Sequence, residues 1–339
     1  MTTTSAVQGA ARRGPSPLVR FFQLFDSLGV LALLVIVIAV TSVVTPSFFT
    51  VTNLTNVLIT ASIMAVTGFG MTLVIAMRGL DLSVGSTEAL TACVAASLLV
   101  AGAAIPAAVL GAVVTGAVIG VINGLVISRL RIPAFVATLG MMSIVRGAAL
   151  LFTEGQSVLI TNNPRYALLN TGKVFGVVPV PFLIALAVLA VFYLLLRHTP
   201  FGRHICAVGG NEQAAIAAGL NINRLTVVAY SLVGVAAALS GVMLSSQLLI
   251  VDGTLGAGFE LQVIAIAVLG GTSMAGGSAN LPGTLFGAIL LATISGALNI
   301  LKVPPFYQYL ALGLLLIFAL ALDTFRRAVI AKAVLGARR

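Results

Sequence analysis

This 339-residue sequence has no tryptophan, two cysteines and two histidines, and only 8% of its residues are charged. So little charge cannot cover the surface of a water-soluble domain, which excludes an ordinary soluble globular fold. Cys93 and Cys206 are too few and too far apart for a disulfide framework, and no Cys/His spacing suggests a metal site. Neither G-x-S-x-G nor H-E-x-x-H occurs, and His198 and His204 fall in a polar stretch, away from any membrane-embedded nucleophile. No catalytic residue is therefore assigned. Thr171-Gly172-Lys173-Val174 lacks the upstream glycine and the hydroxyl residue of a P-loop, so the chain does not bind ATP in that way.

What the sequence does have is length in apolar runs. Hydrophobic residues make up 60% of the chain, and the mean hydropathy is +1.17. A helix needs about 20 apolar residues to cross a bilayer, which leaves room for roughly ten spans. Candidate spans lie near residues 28–45, 57–77, 83–101, 105–128, 133–153, 179–196, 225–249, 260–272, 282–301 and 306–322, the eighth short enough to be broken or half-spanning. The expected fold class is an all-α polytopic membrane protein. The expected organisation is an N-terminal tail at 1–27, a transmembrane domain at 28–325 and a basic tail at 326–339, with residues 1–17 disordered. Arg12-Arg13 before an apolar run mimics an export signal, but no small-x-small cleavage site and soluble domain follow, so the tail is read as uncleaved.

The formal charge of +10 is informative in its placement. Threading the spans alternately puts 14 of the 18 lysines and arginines on the side of the N-terminus; Arg165, Lys173 and Lys302 fall opposite, and Arg146 falls within a span. Such bias marks the rich side as cytoplasmic, so both termini are expected there, and the basic excess does not call for nucleic acid.

Three polar interruptions carry the functional signal. Residues 197–224 form the longest, with Pro200 suited to a first helical turn, Asn211 and Glu212 suited to opening a short helix, and Gly219 suited to ending it. One or two short surface helices are expected, with Gly202 and Gly209-Gly210 as flexible joints, and the segment reads as a docking surface. Arg78 to Ser86 is the second, where Asp81 or Ser83 can cap the following helix. From the residues alone it is either an ordinary capped turn or part of the pathway and its gate. Residues 269–283 resemble it in style and suggest a hinge facing the pore. Asp81, Ser83, Asn123, Thr272 and Ser273 are the candidate pathway or gate residues. Glu88 and Arg146 fall inside spans, where charge is costly, and are expected to pair across the bundle as a structural lock. Gly116, Gly120 and Gly124, and Gly283 with Gly287, each share a helix face and predict close packing within the bundle.

The segments GLDLSVGS, FGRHICAVGGNEQAAIAAGLNINR and VIAIAVLGGTSMAGGSANLPGTLFGAILL, in that order and spacing, resemble the permease subunits of bacterial ABC sugar importers. The likeness is to the ribose, L-arabinose, xylose and galactose branch and covers roughly residues 28–328. It implies a second permease copy or homologue, an ABC ATPase that would hold ATP and Mg on a separate chain, and a periplasmic sugar-binding protein. It places the chain in the bacterial inner membrane, among lipid. It also implies that the coupling helix lies within Gly202 to Gly219, making Gly202, Arg203, Gly209, Asn211, Glu212, Ala215 and Gly219 the candidate ATPase-coupling residues. No cofactor is expected on this chain. On the outer face, Glu154, Arg165, Lys173, Asp252 and Lys302 can orient a soluble partner.

Two rivals belong to other classes. An ion-coupled secondary transporter would use Asp81 and Glu88 as a relay and would transport alone. The same permease fold could instead carry a nucleoside or signal molecule. A membrane-embedded enzyme is the most distant reading, for want of a catalytic set.

Overall fold

The computed structural model describes residues 17–161 and 163–336. The disordered stretch expected at 1–17 therefore lies outside the described residues except for Pro17, as do the last three residues of the basic tail. Each expected span is a helix: α1 (Pro17–Val44), α2 (Val51–Ala76), α3 (Val84–Val100), α4 (Ile105–Leu130), α5 (Ala134–Phe152), α7 (Val180–His198), α10 (Ile222–Leu248), α11 (Phe259–Leu269), α12 (Leu281–Ile300) and α13 (Pro305–Gly336). Three shorter α-helices join them, α6 (Pro164–Thr171), α8 (Pro200–Gly210) and α9 (Glu212–Ala217), and a 3-10 turn at Pro46–Phe49 links α1 to α2. Among the described residues, α2, α4, α5, α7, α10 and α12 are long and apolar enough to cross a bilayer. The apolar parts of α1 and α13, with α3 and α11, are shorter. The chain is an all-α polytopic membrane protein.

Local chemistry sets the helix starts. Pro106, Pro164, Pro181, Pro200 and Pro282 stand in first turns, where the missing N–H is no loss. Side chains of Thr50, Asn211, Asn221 and Asn280 each accept a backbone N–H three residues on, capping α2, α9, α10 and α12.

Helix α2 is the centre of the bundle, buried at every residue from Ala61 to Ala76, with α7, α10, α11 and α12 around it. The α4–α10 pair is the most closely packed. A Cβ on Gly116 would strike Gly234, on Gly120 Tyr230 and on Gly124 Val227. The rising numbers on α4 against falling numbers on α10 show that the two run antiparallel. Gly283 and Gly287 likewise sit against Gly270 and Ile266, bringing α12 onto α11. The expected glycine faces thus pack inside the bundle.

The connections divide between two ends. One end carries α8, α9 and the breaks at 77–83, 131–133 and 270–280. The other carries α6 and four two-residue strands absent from the sequence reading: β1 (Val158–Leu159), β2 (Lys173–Val174), β3 (Val178–Pro179) and β4 (Ile250–Val251). β1 pairs antiparallel with β4, and β2 with β3. Tyr166 anchors α6 to α10: fully buried, its hydroxyl lies 3.0 Å from the Val242 carbonyl and 2.6 Å from Ser245 Oγ. Burial pushes this phenol up to about 12.

Candidate functional site

The two short helices expected between α7 and α10 are present, and they differ in setting. Helix α8 is amphipathic and seated on the bundle, with Gly202, Ile205, Val208 and Gly209 buried and Arg203 exposed. Burial pushes the Cys206 thiol on its flank up, against the opposing pull of Arg197. Helix α9 stands in the open. Only Ala215 of it is buried, while Asn211, Glu212, Ile216 and Gly219 are exposed. Asn211 Oδ1 accepts Ala214 N at 3.0 Å, and Gly219, at φ +82, closes the helix in the left-handed region.

Gly202 and Gly209 are not flexible joints, contrary to expectation. Both lie inside the continuous helix α8, and both are points of contact. A Cβ on Gly202 would collide with the Leu196 backbone, and one on Gly209 with the Ala76 carbonyl and, at 2.7 Å, the Gly277 nitrogen. The absent side chains let α8 touch the end of α2 and the 270–280 break at once.

That contact is a junction of the three polar interruptions. Gly277 N donates to the Ala76 carbonyl at 2.9 Å. Arg78, at φ 65, ends α2 in the left-handed region and turns its guanidinium outward along the seam. Its Nε donates to the Ala275 carbonyl at 2.7 Å and its Nη2 to the Gly210 carbonyl at 2.9 Å. One side chain thus ties the end of α2, the end of α8 and the 270–280 break together. Sequence reasoning counted Arg78 as a topology charge and set it at the head of the second interruption, but did not place it among the candidate site residues. The signal present was its place at the end of an apolar run, directly before Gly79.

Behind this junction the 77–83 break is stiffened by buried polar groups. Asp81 Oδ1 accepts the Ser83 N–H at 2.9 Å and the Ser83 hydroxyl at 2.6 Å, so Asp81 closes a turn onto the residue directly before α3, and the expected Ser83 side-chain cap of the helix is not made. Asn123 Nδ2 on α4 donates to Ser83 Oγ at 2.9 Å, while Asn123 Oδ1 has no partner. The Tyr230 hydroxyl on α10 donates to the Leu80 carbonyl at 3.1 Å, and Thr138 on α5 reaches the same carbonyl at 3.3 Å. Asp81, Ser83 and Asn123 therefore come together, fastening the break to α4, α5 and α10.

Thr272 and Ser273 form a separate cluster. Thr272 Oγ1 accepts Asn280 N, and Ser273 Oγ accepts Ala275 N, each at 3.3 Å. All five candidate gate residues are buried. None lines the adjoining cavity of about 930 Å³, whose polar lining includes Arg78, Ser128, Arg131, Glu212, Asn223 and Tyr230. The cavity separates the exposed α9 from the 131–133 turn.

The expected Glu88–Arg146 ion pair is not made directly. Arg146 Nη1 donates instead to the carbonyls of Gly253 and Leu255, and neither Glu88 carboxyl oxygen has a hydrogen-bond partner. Adjacent spans brought the two charges to one region, but Arg146 is taken by the 252–258 loop.

Comparison with known proteins gives one consistent picture. Residues 53–320 match the family described as branched-chain amino acid transport system / permease component. The chain is 39% identical over 303 residues to the ribose import permease protein RbsC of Escherichia coli K12, covering 88% of this chain and 94% of that protein. It is 37% identical over 306 residues to RbsC of Bacillus subtilis, covering 90% and 95%. It is 33% identical over 323 residues to the L-arabinose transport system permease protein AraH of E. coli K12, covering 95% and 98%. No solved structure gives a significant match.

Proposed function

The chain belongs to the branched-chain amino acid transport system / permease component family, and from that premise we infer that it is the membrane permease subunit of an ABC importer for a monosaccharide. The carrying observation is likeness to ribose and arabinose permeases along nearly the whole chain, and not at one motif. It is a multi-pass protein of the inner membrane. The ion-coupled and non-sugar alternatives are not favoured.

The finer reading concerns partners and coupling. The exposed helix α9, with Arg203 of α8, is the docking face for a separate ATPase, which holds ATP and Mg. A sugar-binding protein delivers solute at the opposite end, and a second permease, identical or homologous, completes the pore. The basic bias of the sequence puts the α8–α9 end, with both termini, in the cytoplasm.

Coupling then follows from the seam. A push on α9 passes through the short Asn211 connection to α8. A shift of α8 bears on Ala76 and Gly277, on which Gly209 rests backbone to backbone, and pulls on Arg78 through its hydrogen bond to Gly210. The breaks at 77–83 and 270–280 carry that displacement into α3 and α12. Asp81, Ser83 and Asn123 act as the stiff link to α4, and Thr272 and Ser273 shape the second break; their role is to position the helices that gate the path.

The test is co-expression with the importer's ATPase and sugar-binding protein, followed by pull-down and ATP-driven ribose uptake in vesicles. Complex formation with uptake dependent on both partners supports the reading. Uptake by this chain alone, driven by an ion gradient, would overturn it.

A further inference from the structure

At the end far from α9, charge is arranged in a way the coupling seam does not explain. Helix α3 carries one acid, Glu88, which is 1% exposed. Both of its oxygens lack a hydrogen-bond partner. The neighbouring Ser240 hydroxyl is committed to the Ile63 carbonyl at 2.6 Å. The carboxyl lies against Gly256 of the 252–258 loop, where a Cβ would stand 2.7 Å from Glu88 Oε2 and 2.7 Å from the Gly85 carbonyl. A Cβ on Gly85 would in turn stand 2.7 Å from Glu260 Oε2. Two carboxyl groups, from α3 and α11, thus flank a glycine-on-glycine contact between α3 and the loop.

Arg146 of α5 interacts electrostatically with Glu260, Glu88 and Asp252. It spends Nη1 on the loop, at 2.7 Å from the Gly253 carbonyl and 2.5 Å from that of Leu255. Packing also holds the loop: Leu255 lies against the core cluster built from α3, α4 and α10, and Gly253 abuts the Leu150 backbone. Asp252 turns inward on Thr254, and Gly253 and Gly256 contribute backbone alone. The guanidinium adds the polar tie, holding two carbonyls of the loop at once.

A buried carboxyl without a partner is costly, and more so within a bilayer. A carboxylate is also a stronger partner for a guanidinium than a carbonyl is. Arg146 therefore has a better partner within its region than the ones it holds, and Glu88 lacks the one it needs. Packed segments of this kind have discrete arrangements, not a continuum.

We propose that Arg146 is a two-position latch of the outer gate: it ties the 252–258 loop down in the state described here, and it transfers to Glu88, beside Glu260, when that loop lifts. The proposal rests on the importer reading. Glu88 and Arg146 are positioning residues in it: they touch no solute, but they let the loop open without leaving a bare cation behind. The loop follows α10 through the short strand β4, and four residues separate the start of α10 from α9, so one helix runs from the docking face towards the latch.

The test uses the complete importer in vesicles, with Cys93 and Cys206 replaced by serine and Leu255→Cys as a reporter of loop opening. Its labelling by a polar maleimide should accelerate when ATP is added, and Glu88→Gln should abolish that acceleration. Glu88→Gln should also lower sugar moved per ATP about tenfold, with no loss of thermal stability. Arg146→Ala should make labelling fast without ATP, and adding Glu88→Gln to it should change nothing further. Arg146→Lys, which keeps the charge without the planar fork, should fall between. ATP-responsive labelling in Glu88→Gln, or additive effects of the two substitutions, would overturn the latch. Failure of the unsubstituted complex to move sugar while Leu255→Cys still responds to ATP would instead strike the importer reading.

Discussion

Gly209 rests directly on the carbonyl of Ala76, so that the seated helix of the coupling segment and the end of the central helix share one surface. No side chain separates them, and a hydrogen bond from Gly277 to the same carbonyl brings in the third segment. Motion applied to α8 therefore has a short, stiff route to both breaks in the bundle.

Filling that contact should break the route. Gly209→Val puts carbon where the Ala76 carbonyl stands, forcing α8 off its seat at a cost of about 1–3 kcal/mol. Sugar uptake should fall at least tenfold, roughly 1.4 kcal/mol in coupling terms, while ATPase pull-down through α9 persists. Uptake assays on vesicles alongside pull-down check this.

The docking face should behave in the opposite manner. Glu212 and Ile216 are exposed on α9 and lie outside the buried core. Glu212→Lys and Ile216→Asp should each weaken ATPase association tenfold or more, about 1.4 kcal/mol, with the melting temperature of the permease unchanged. Titration of the ATPase onto the immobilised permease measures it.

The Asp81–Ser83 turn beneath the first break has a graded consequence. Asp81→Asn leaves an acceptor for Ser83 but weakens the charge-assisted bonds, whereas Asp81→Ala leaves the Ser83 N–H without its side-chain acceptor in a buried site. Loss of stability of about 1–3 kcal/mol is expected for alanine and less for asparagine. Thermal unfolding of the purified permease orders the two variants.

Tyr166 tests the far end independently. Tyr166→Phe removes the bonds to Val242 and Ser245 from a fully buried ring. A loss of about 1–2 kcal/mol is expected, with sugar moved per ATP unchanged, because α6 lies off the coupling seam. The pair of readouts, stability and stoichiometry, separates anchoring from coupling.

How far the molecule was legible in its sequence differs by level. The spans were readable because hydropathy over about 20 residues is a strong signal, and Pro200, Asn211 and Gly219 marked the short helices through their caps. The two-residue strands were not, being too short for any alternation to register. Gly209 was visible as a glycine but not as a contact, since a missing side chain does not announce what will fill the space. Arg78 stood at the head of the second interruption but did not show as a tie, because its partners are carbonyls of remote segments, Ala275 and Gly210. The same limit misled the reading of Arg146, whose carbonyl partners lie in a loop and not on the facing helix. Pairing with backbone leaves no trace in residue type.

The most direct test of the coupling account is the number of sugars moved per ATP hydrolysed by Arg78→Ala in the assembled importer. Arg78 reaches the ends of all three segments and, being exposed, is dispensable for the core. The account predicts that the ATPase still binds and hydrolyses ATP while uptake collapses, so the ratio drops several-fold. A ratio equal to that of the unsubstituted importer, whether both activities persist or fall together, would contradict it.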